Sequence, residues 1–164
     1  MKIGIIIISF ILENILSNFL PINSLFSTLL TLLSLILIYP YCNGKNGLYL
    51  KYCFFTGLAY DLIYTDTLIL NAFIFTFIGF IITKLNLFFS NNCVNDSLMA
   101  IIVIIIYRVL CYGILIITAN MKLNALGLLK SIYSSIIINI IYIVIGFTIC
   151  DKIAKRLKIR RTNW

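Results

Sequence analysis

Apolar runs long enough to cross a bilayer, separated by short polar connections, repeat along the whole chain and leave no stretch from which a water-soluble domain could be built. The runs cover residues 3–20, 24–41, 48–64, 68–89, 98–119 and 128–150. A spanning helix needs about 20 mostly apolar residues, so 164 residues with short connections hold about six of them. The composition agrees: 62% of residues are hydrophobic, 11% are charged, and the mean hydropathy is +1.10. A soluble domain carries roughly 25% charged residues, and a globule of this size could not hide so much apolar surface. The predicted fold is all-α, a single polytopic transmembrane domain of about six helices over residues 1–164, with a basic tail from residue 151.

The connections have their own chemistry. Pro21 ends the first run, whose body is interrupted by Glu13 and Asn14 and lacks a small-x-small cleavage site, so it reads as an uncleaved span. Pro40, Asn43, Gly44 and Gly47 close the second. Asp66 and Thr67 join the third and fourth as a helical hairpin. The polar segment from Ser90 to Ser97 is expected to be a loop, because it is too hydrophilic to stay in hydrocarbon. Residues 120–127 make the last connection.

Positive residues are retained on the cytoplasmic side of a membrane. With the N-terminus inside, Lys2, Lys45, Lys51, Lys84, Lys152, Lys155, Arg156, Lys158, Arg160 and Arg161 all fall in the cytoplasm, against Lys122 and Lys130 outside. Both termini are therefore expected to be cytoplasmic. The tail residues Lys152, Lys155, Arg156, Lys158, Arg160 and Arg161 form a juxtamembrane basic segment. An anionic inner leaflet attracts such a segment by about 1 kcal/mol per charge, which points to lipid and not to nucleic acid. Trp164 adds an interfacial side chain.

Few polar residues lie inside the runs, and each needs a partner. Glu13 and Arg108 are each ten residues from the inner ends of their spans, about 15 Å deep, and Asn139 falls at about 16 Å. A charge at that depth costs at least about 2.5–3.5 kcal/mol unpaired. The equal depths predict an interhelical cluster of Glu13, Arg108 and Asn139 joining spans one, five and six. Asp61 sits near the outer end of span three, where Asn71, one turn into span four, can bond it across the hairpin; pairing of Asp61 with Arg108 is the alternative. Ala72 and Thr76, Gly79 and Thr83, and Ser131 and Ser135 suggest faces where helix backbones approach closely.

Enzymatic signatures are missing from the sequence. It has no histidine, no Cys-x-x-Cys among its five cysteines, no Gly-x-Ser-x-Gly and no phosphate loop, so no metal, cofactor or catalytic residue is expected. Asp61 and Asp66, the closest acidic pair, flank a turn at the membrane surface.

The segments Gly57-Leu58-Ala59-Tyr60-Asp61-Leu62, Leu68-Ile69-Leu70-Asn71-Ala72 and Ile78-Gly79-Phe80-Ile81-Ile82 resemble the central signature of the MreD family of rod shape-determining membrane proteins. The stretch from Glu13 to Pro21 resembles that family's first span, and Asn139 with the basic segment after it resembles the last span and tail. Glu13 departs from the family, which more often has an uncharged amide there, and Arg108 matches no family position. The resemblance implies a non-enzymatic subunit of the bacterial elongation machinery, in the cytoplasmic (inner) membrane, where lateral peptidoglycan is made. Its direct partner would be an MreC-like protein, linking it to MreB, RodA and a class B penicillin-binding protein. It also implies a fold similar to the substrate-binding components of energy-coupling-factor vitamin transporters, which supply the competing function. Those components usually carry small residues at every fourth position of span one, where this chain has Ile5, Ser9 and Glu13.

Overall fold

The computed structural model describes residues 1–19, 28–42, 44–65, 69–89, 92–119 and 125–158. Among these the chain is all-helical: α1 (Lys2–Phe19), α2 (Leu30–Ile38) continued by a 3-10 turn (Tyr39–Tyr41), α3 (Asn46–Tyr64), α4 (Leu70–Leu85), α5 (Cys93–Ala119) and α6 (Ala125–Arg156). Three of these, Lys2–Phe19, Cys93–Thr118 and Ala125–Arg156, are long and apolar enough to cross a membrane. Leu30–Tyr41 and Leu70–Leu85 are apolar but shorter.

Lys2 Nζ lies 5.8 Å from the Tyr52 ring at one end of the bundle, and Phe10 stacks on Tyr64 further along, so α1 and α3 point the same way. α4 reverses against α3, with Gly57 beside Asn71 and Ala72 and Gly79 beside Cys53. Both glycines sit where a side chain would not fit. A Cβ on Gly57 would lie 2.5 Å from the Asn71 carbonyl oxygen, and one on Gly79 would lie 2.5 Å from Cys53 Sγ. Small residues of this kind let helices touch in a medium where lipid is as apolar as leucine and packing must drive association.

The second run departs from the expected span over 24–41. Thr28 and Leu29 are not helical, α2 begins only at Leu30, and all nine of its residues are buried. At 1.5 Å per residue α2 is about 14 Å long, half a bilayer. It forms the centre of the bundle, with α1, α3, α4, α5 and α6 around it. The break is possible because α1 and α6 supply hydrogen-bond acceptors to its first turn.

Other boundaries also move, α6 beginning at Ala125, inside the expected connection, and α3 at Asn46. Residues Cys93–Ser97, expected in a loop, form the first turn of α5, where Asp96 suits the positive end of the helix dipole and Ser97 Oγ donates back to Cys93 O at 2.8 Å. α4 stops at Leu85 and not at 89, closing in turns such as Asn86 N–H to Ile82 O at 3.0 Å. α6 continues past Cys150 to Arg156, so Lys152, Lys155 and Arg156 stand on a helix and not on an irregular tail. There Lys155 Nζ meets Asp151 Oδ2 at 2.7 Å, and the helix ends as Lys158 turns to a left-handed φ of 52°. Pro21, Asp66, Lys122, Arg160, Arg161 and Trp164 lie outside the described residues.

Candidate functional site

A helix leaves its first backbone N–H groups without intrahelical acceptors, and inside a membrane no water can take them. Two helix starts in this bundle are closed by buried side chains from elsewhere in the chain, and those side chains are the polar residues that stand out in the sequence.

The first is α4. Asp61, near the end of α3 and 1% exposed, accepts four hydrogen bonds from Thr65, Asn71 and Ala72 among the described residues. Asn71 N–H and Asn71 Nδ2 reach Oδ1 at 3.1 and 2.9 Å, Ala72 N–H reaches Oδ2 at 3.0 Å, and Thr65 Oγ1 donates to Oδ1 at 3.0 Å. One carboxylate thus caps the first turn of α4 and clamps the hairpin. It can reach because Gly57, one turn earlier on α3, lets the two backbones approach. Asn71, turned by Asp61, accepts from Tyr107 OH at 3.2 Å and so carries the connection into α5. Phe75 stands between Tyr60 and Tyr107 with ring centroids at 5.3 and 6.1 Å.

The second is α2. Glu13 of α1, 3% exposed, takes Thr31 N–H on Oε2 at 2.7 Å and Tyr60 OH on Oε1 at 3.3 Å. Asn139 of α6, fully buried, takes Leu29 N–H on Oδ1 at 2.9 Å, while its Nδ2 donates to Ser135 O at 2.5 Å. The half-length central helix therefore starts on two side chains contributed by α1 and α6. Ser9 and Tyr142, whose oxygens lie 2.5 Å apart, tie those same two helices together.

Arg108 of α5 is half-buried and gives Nε and Nη2 to Ser135 Oγ at 3.1 and 2.7 Å; Ser135 Oγ in turn donates to Ser131 O at 2.8 Å. The expected three-way cluster is therefore relayed through other groups. Arg108 and Asn139 meet at Ser135, and Glu13 and Asn139 meet at the start of α2, with no ion pair directly joining Glu13 to Arg108. Equal depth alone does not decide contact, because it leaves the direction around each helix axis open.

Several participants do not stand out in the sequence as site residues, among them Thr31, Tyr60, Thr65, Tyr107, Ser135 and Tyr142. Tyr60 and Tyr107 had a signal, since a buried phenol in an apolar span needs an acceptor and each directly precedes a charged residue. Thr31 contributes only its backbone N–H, which no side-chain pattern advertises. Gly79 lies further down the hairpin, and Lys152, Lys155, Arg156 and Lys158 stand exposed at the end of α6, away from both caps. Among the described residues no group of three or more His, Cys, Asp or Glu is placed to hold a metal ion.

The chemistry of these sites is structural at every atom described: carboxylates and amides hold helix starts, hydroxyls link neighbouring helices, and glycines set the α3–α4 distance. Comparison with curated proteins gives no match, and comparison with solved structures gives none. A family model described as rod shape-determining protein MreD matches residues 2–153, which takes in both capped helix starts and nearly the whole bundle, and the chain belongs to the MreD family.

Proposed function

We propose that this protein is a non-enzymatic, multi-pass subunit of the machinery that builds lateral peptidoglycan in rod-shaped bacteria. In this reading it binds an MreC-like protein directly and, through it, reaches MreB, RodA and a class B penicillin-binding protein. The observation that carries the proposal is the family match over residues 2–153, since rod-shape determination is what that family's description states.

The same proposal places it in the cytoplasmic membrane with six crossing helices and both termini in the cytoplasm. The basic residues at the end of α6 then sit against anionic lipid. α2 would complete its crossing inside the bundle, shielded by the helices around it, which is where short or broken helices are tolerated. Kinship of fold with energy-coupling-factor substrate-binding components belongs to the proposal as well. The polar residues of the bundle support a scaffold, because their hydrogen bonds go to helix starts and neighbouring helices.

Copurification tests it. The full chain, extracted in mild detergent from cells that also express the MreC-like protein of the same genome, is expected to retain that protein in stoichiometric amount. Retention instead of an energy-coupling ATPase pair, together with a tightly bound vitamin, would establish the transporter reading in its place.

A further inference from the structure

α1 and α3 run side by side and are bridged at two levels. At one end Lys2 Nζ lies 5.8 Å from the centre of the Tyr52 ring. Towards the other, Phe10 stacks on Tyr64, and Tyr64 OH donates to Phe10 O at 2.9 Å. Beside these bridges the two helices leave a slot of about 510 Å³, walled by Ile3, Ile7 and Ile11 of α1 and by Phe55, Ala59 and Ile63 of α3. Thr56 also borders the slot, but its Oγ1 donates back to Tyr52 O at 2.6 Å and offers the interior no donor.

The depth of the slot is informative. Ile3 to Ile11 is about 12 Å of helix and Tyr52 to Ile63 about 17 Å, close to half of a hydrocarbon core about 30 Å thick, which is one leaflet. At the Lys2 end the slot runs on into a second cavity of about 270 Å³, and Ile3 and Tyr52 line both. Lys2 lines this second cavity, is half-buried, and makes no ion pair with any described residue. A cation without a counter-charge therefore stands where a leaflet-deep apolar slot reaches the membrane surface.

We infer that the slot is a binding site for one anionic glycerophospholipid, with an acyl chain between α1 and α3 and the headgroup phosphate on Lys2 Nζ. The occupant follows from medium, size and charge. No water is available to fill space that opens into hydrocarbon. A helix of another protein, about 10–12 Å across, would need roughly 900 Å³ or more over the same 12 Å of α1, whereas an acyl chain is a single file of methylenes. A lone lysine favours a headgroup of net negative charge over a zwitterionic one, whose own ammonium offsets the phosphate. The site needs only a bilayer, so its occupancy is independent of the protein partners proposed above.

Native mass spectrometry of the full chain, released from detergent with added dioleoyl-phosphatidylglycerol or dioleoyl-phosphatidylcholine, tests the inference. One phosphatidylglycerol is expected to stay bound at concentrations where phosphatidylcholine does not. Lys2→Gln is expected to weaken phosphatidylglycerol about fivefold and to leave phosphatidylcholine unchanged, so that the discrimination is lost. Lys155→Gln, at the exposed end of α6, is expected to leave the first phosphatidylglycerol in place. Ala59→Phe fills the slot from α3 and Ile7→Trp fills it from α1. Both are expected to release either lipid while unfolding in lipid-free detergent at a temperature no lower than the parent chain. Absence of a preferred phosphatidylglycerol, discrimination that survives Lys2→Gln, or lipid held equally well by both folded slot-filling variants overturns the inference. So does displacement of the lipid by inorganic phosphate, which would leave the slot no part in binding. Slot-filling variants that keep their lipid but lose the MreC-like protein would put a protein helix there instead.

Discussion

Asp61 and Glu13 do the same task with different degrees of redundancy, and the difference is measurable. Asp61 satisfies two backbone N–H groups of α4 as well as the Asn71 and Thr65 side chains. Asp61→Ala leaves all four donors without it in a dry interior, and the expected loss is about 2–4 kcal/mol, combining a lost cap with unsatisfied buried donors. Asp61→Asn keeps one acceptor and is expected to cost roughly half as much. Glu13 satisfies one backbone N–H and one phenol, so Glu13→Gln, which still accepts from Thr31, is expected to be near neutral, and Glu13→Ala to cost about 1–3 kcal/mol. Thermal unfolding in detergent, followed by loss of the monodisperse chromatographic peak, ranks the four variants. An Asp61→Ala protein as stable as Glu13→Gln would contradict the cap geometry. Couplings follow the same bonds: Arg108→Ala and Ser135→Ala are expected to interact by at least about 0.5 kcal/mol in a double-mutant cycle, more than Glu13 and Arg108 do. A charge-swapped Glu13→Arg, Arg108→Glu chain is accordingly expected to restore nothing, and recovery of its stability would show a direct pair.

At the scale of helices, the α3–α4 hairpin rests on two close approaches that differ in what they meet. The obstacle to a side chain at Gly57 is the backbone of Asn71 and Ala72, which cannot step aside without opening the hairpin and drawing Asp61 off the start of α4. Gly57→Ala is therefore expected to cost about 3 kcal/mol or more, with no single truncation able to rescue it. At Gly79 the obstacle is the Cys53 side chain, so Gly79→Ala is expected to be partly rescued by Cys53→Ala, which removes the Sγ at 2.5 Å and leaves the Cβ at 3.1 Å. Gly146→Ala meets only the tip of Leu37, a flexible side chain, and is expected to be mild. Equal behaviour of the Gly57 and Gly79 variants with and without Cys53→Ala would refute this division. The hairpin was legible in the sequence because everything that makes it is local: two glycines, an aspartate and an asparagine within one turn-linked pair of runs. The break before α2 was not. The segment Thr28-Leu29-Leu30-Thr31-Leu32-Leu33 holds no glycine or proline, and its helix starts where Glu13 and Asn139, 18 and 110 residues away in sequence from the groups they cap, supply acceptors. The extension of α6 was hidden for the opposite reason. Hydropathy reports where the chain leaves the membrane, and a helix can continue into the charged segment beyond, in this case with Asp151 and Lys155 one turn apart.

The bundle is organised around the shortest α-helix among the described residues. α2 is buried on all sides yet is about 14 Å long, too short to cross a bilayer and too apolar to leave one, so its position depends on the helices that surround it. Because α1 and α6 together close its first turn, the first and last helices of the chain must both be present before the centre is satisfied. Sequence separation of that kind delays the contact until α6 has been made, since loop closure over so long a stretch precedes any gain from it. A chain truncated after residue 124, lacking α6, is therefore expected to insert α1 and α5 but to leave Leu29 N–H, Arg108 and Ser9 without their α6 groups. In pulse labelling it is expected to be degraded several-fold faster than the full chain, and co-expression of a separate segment carrying residues 125–164 is expected to restore its lifetime and copurify with it. The same segment carrying Asn139→Leu keeps α6's apolar faces and removes only the amide at the α2 start, so it is expected to rescue less well. If the truncated chain proved as long-lived as the intact one, or if Asn139→Leu rescued equally, α2 would be held by packing alone and the two distant acceptors would have no part in placing it.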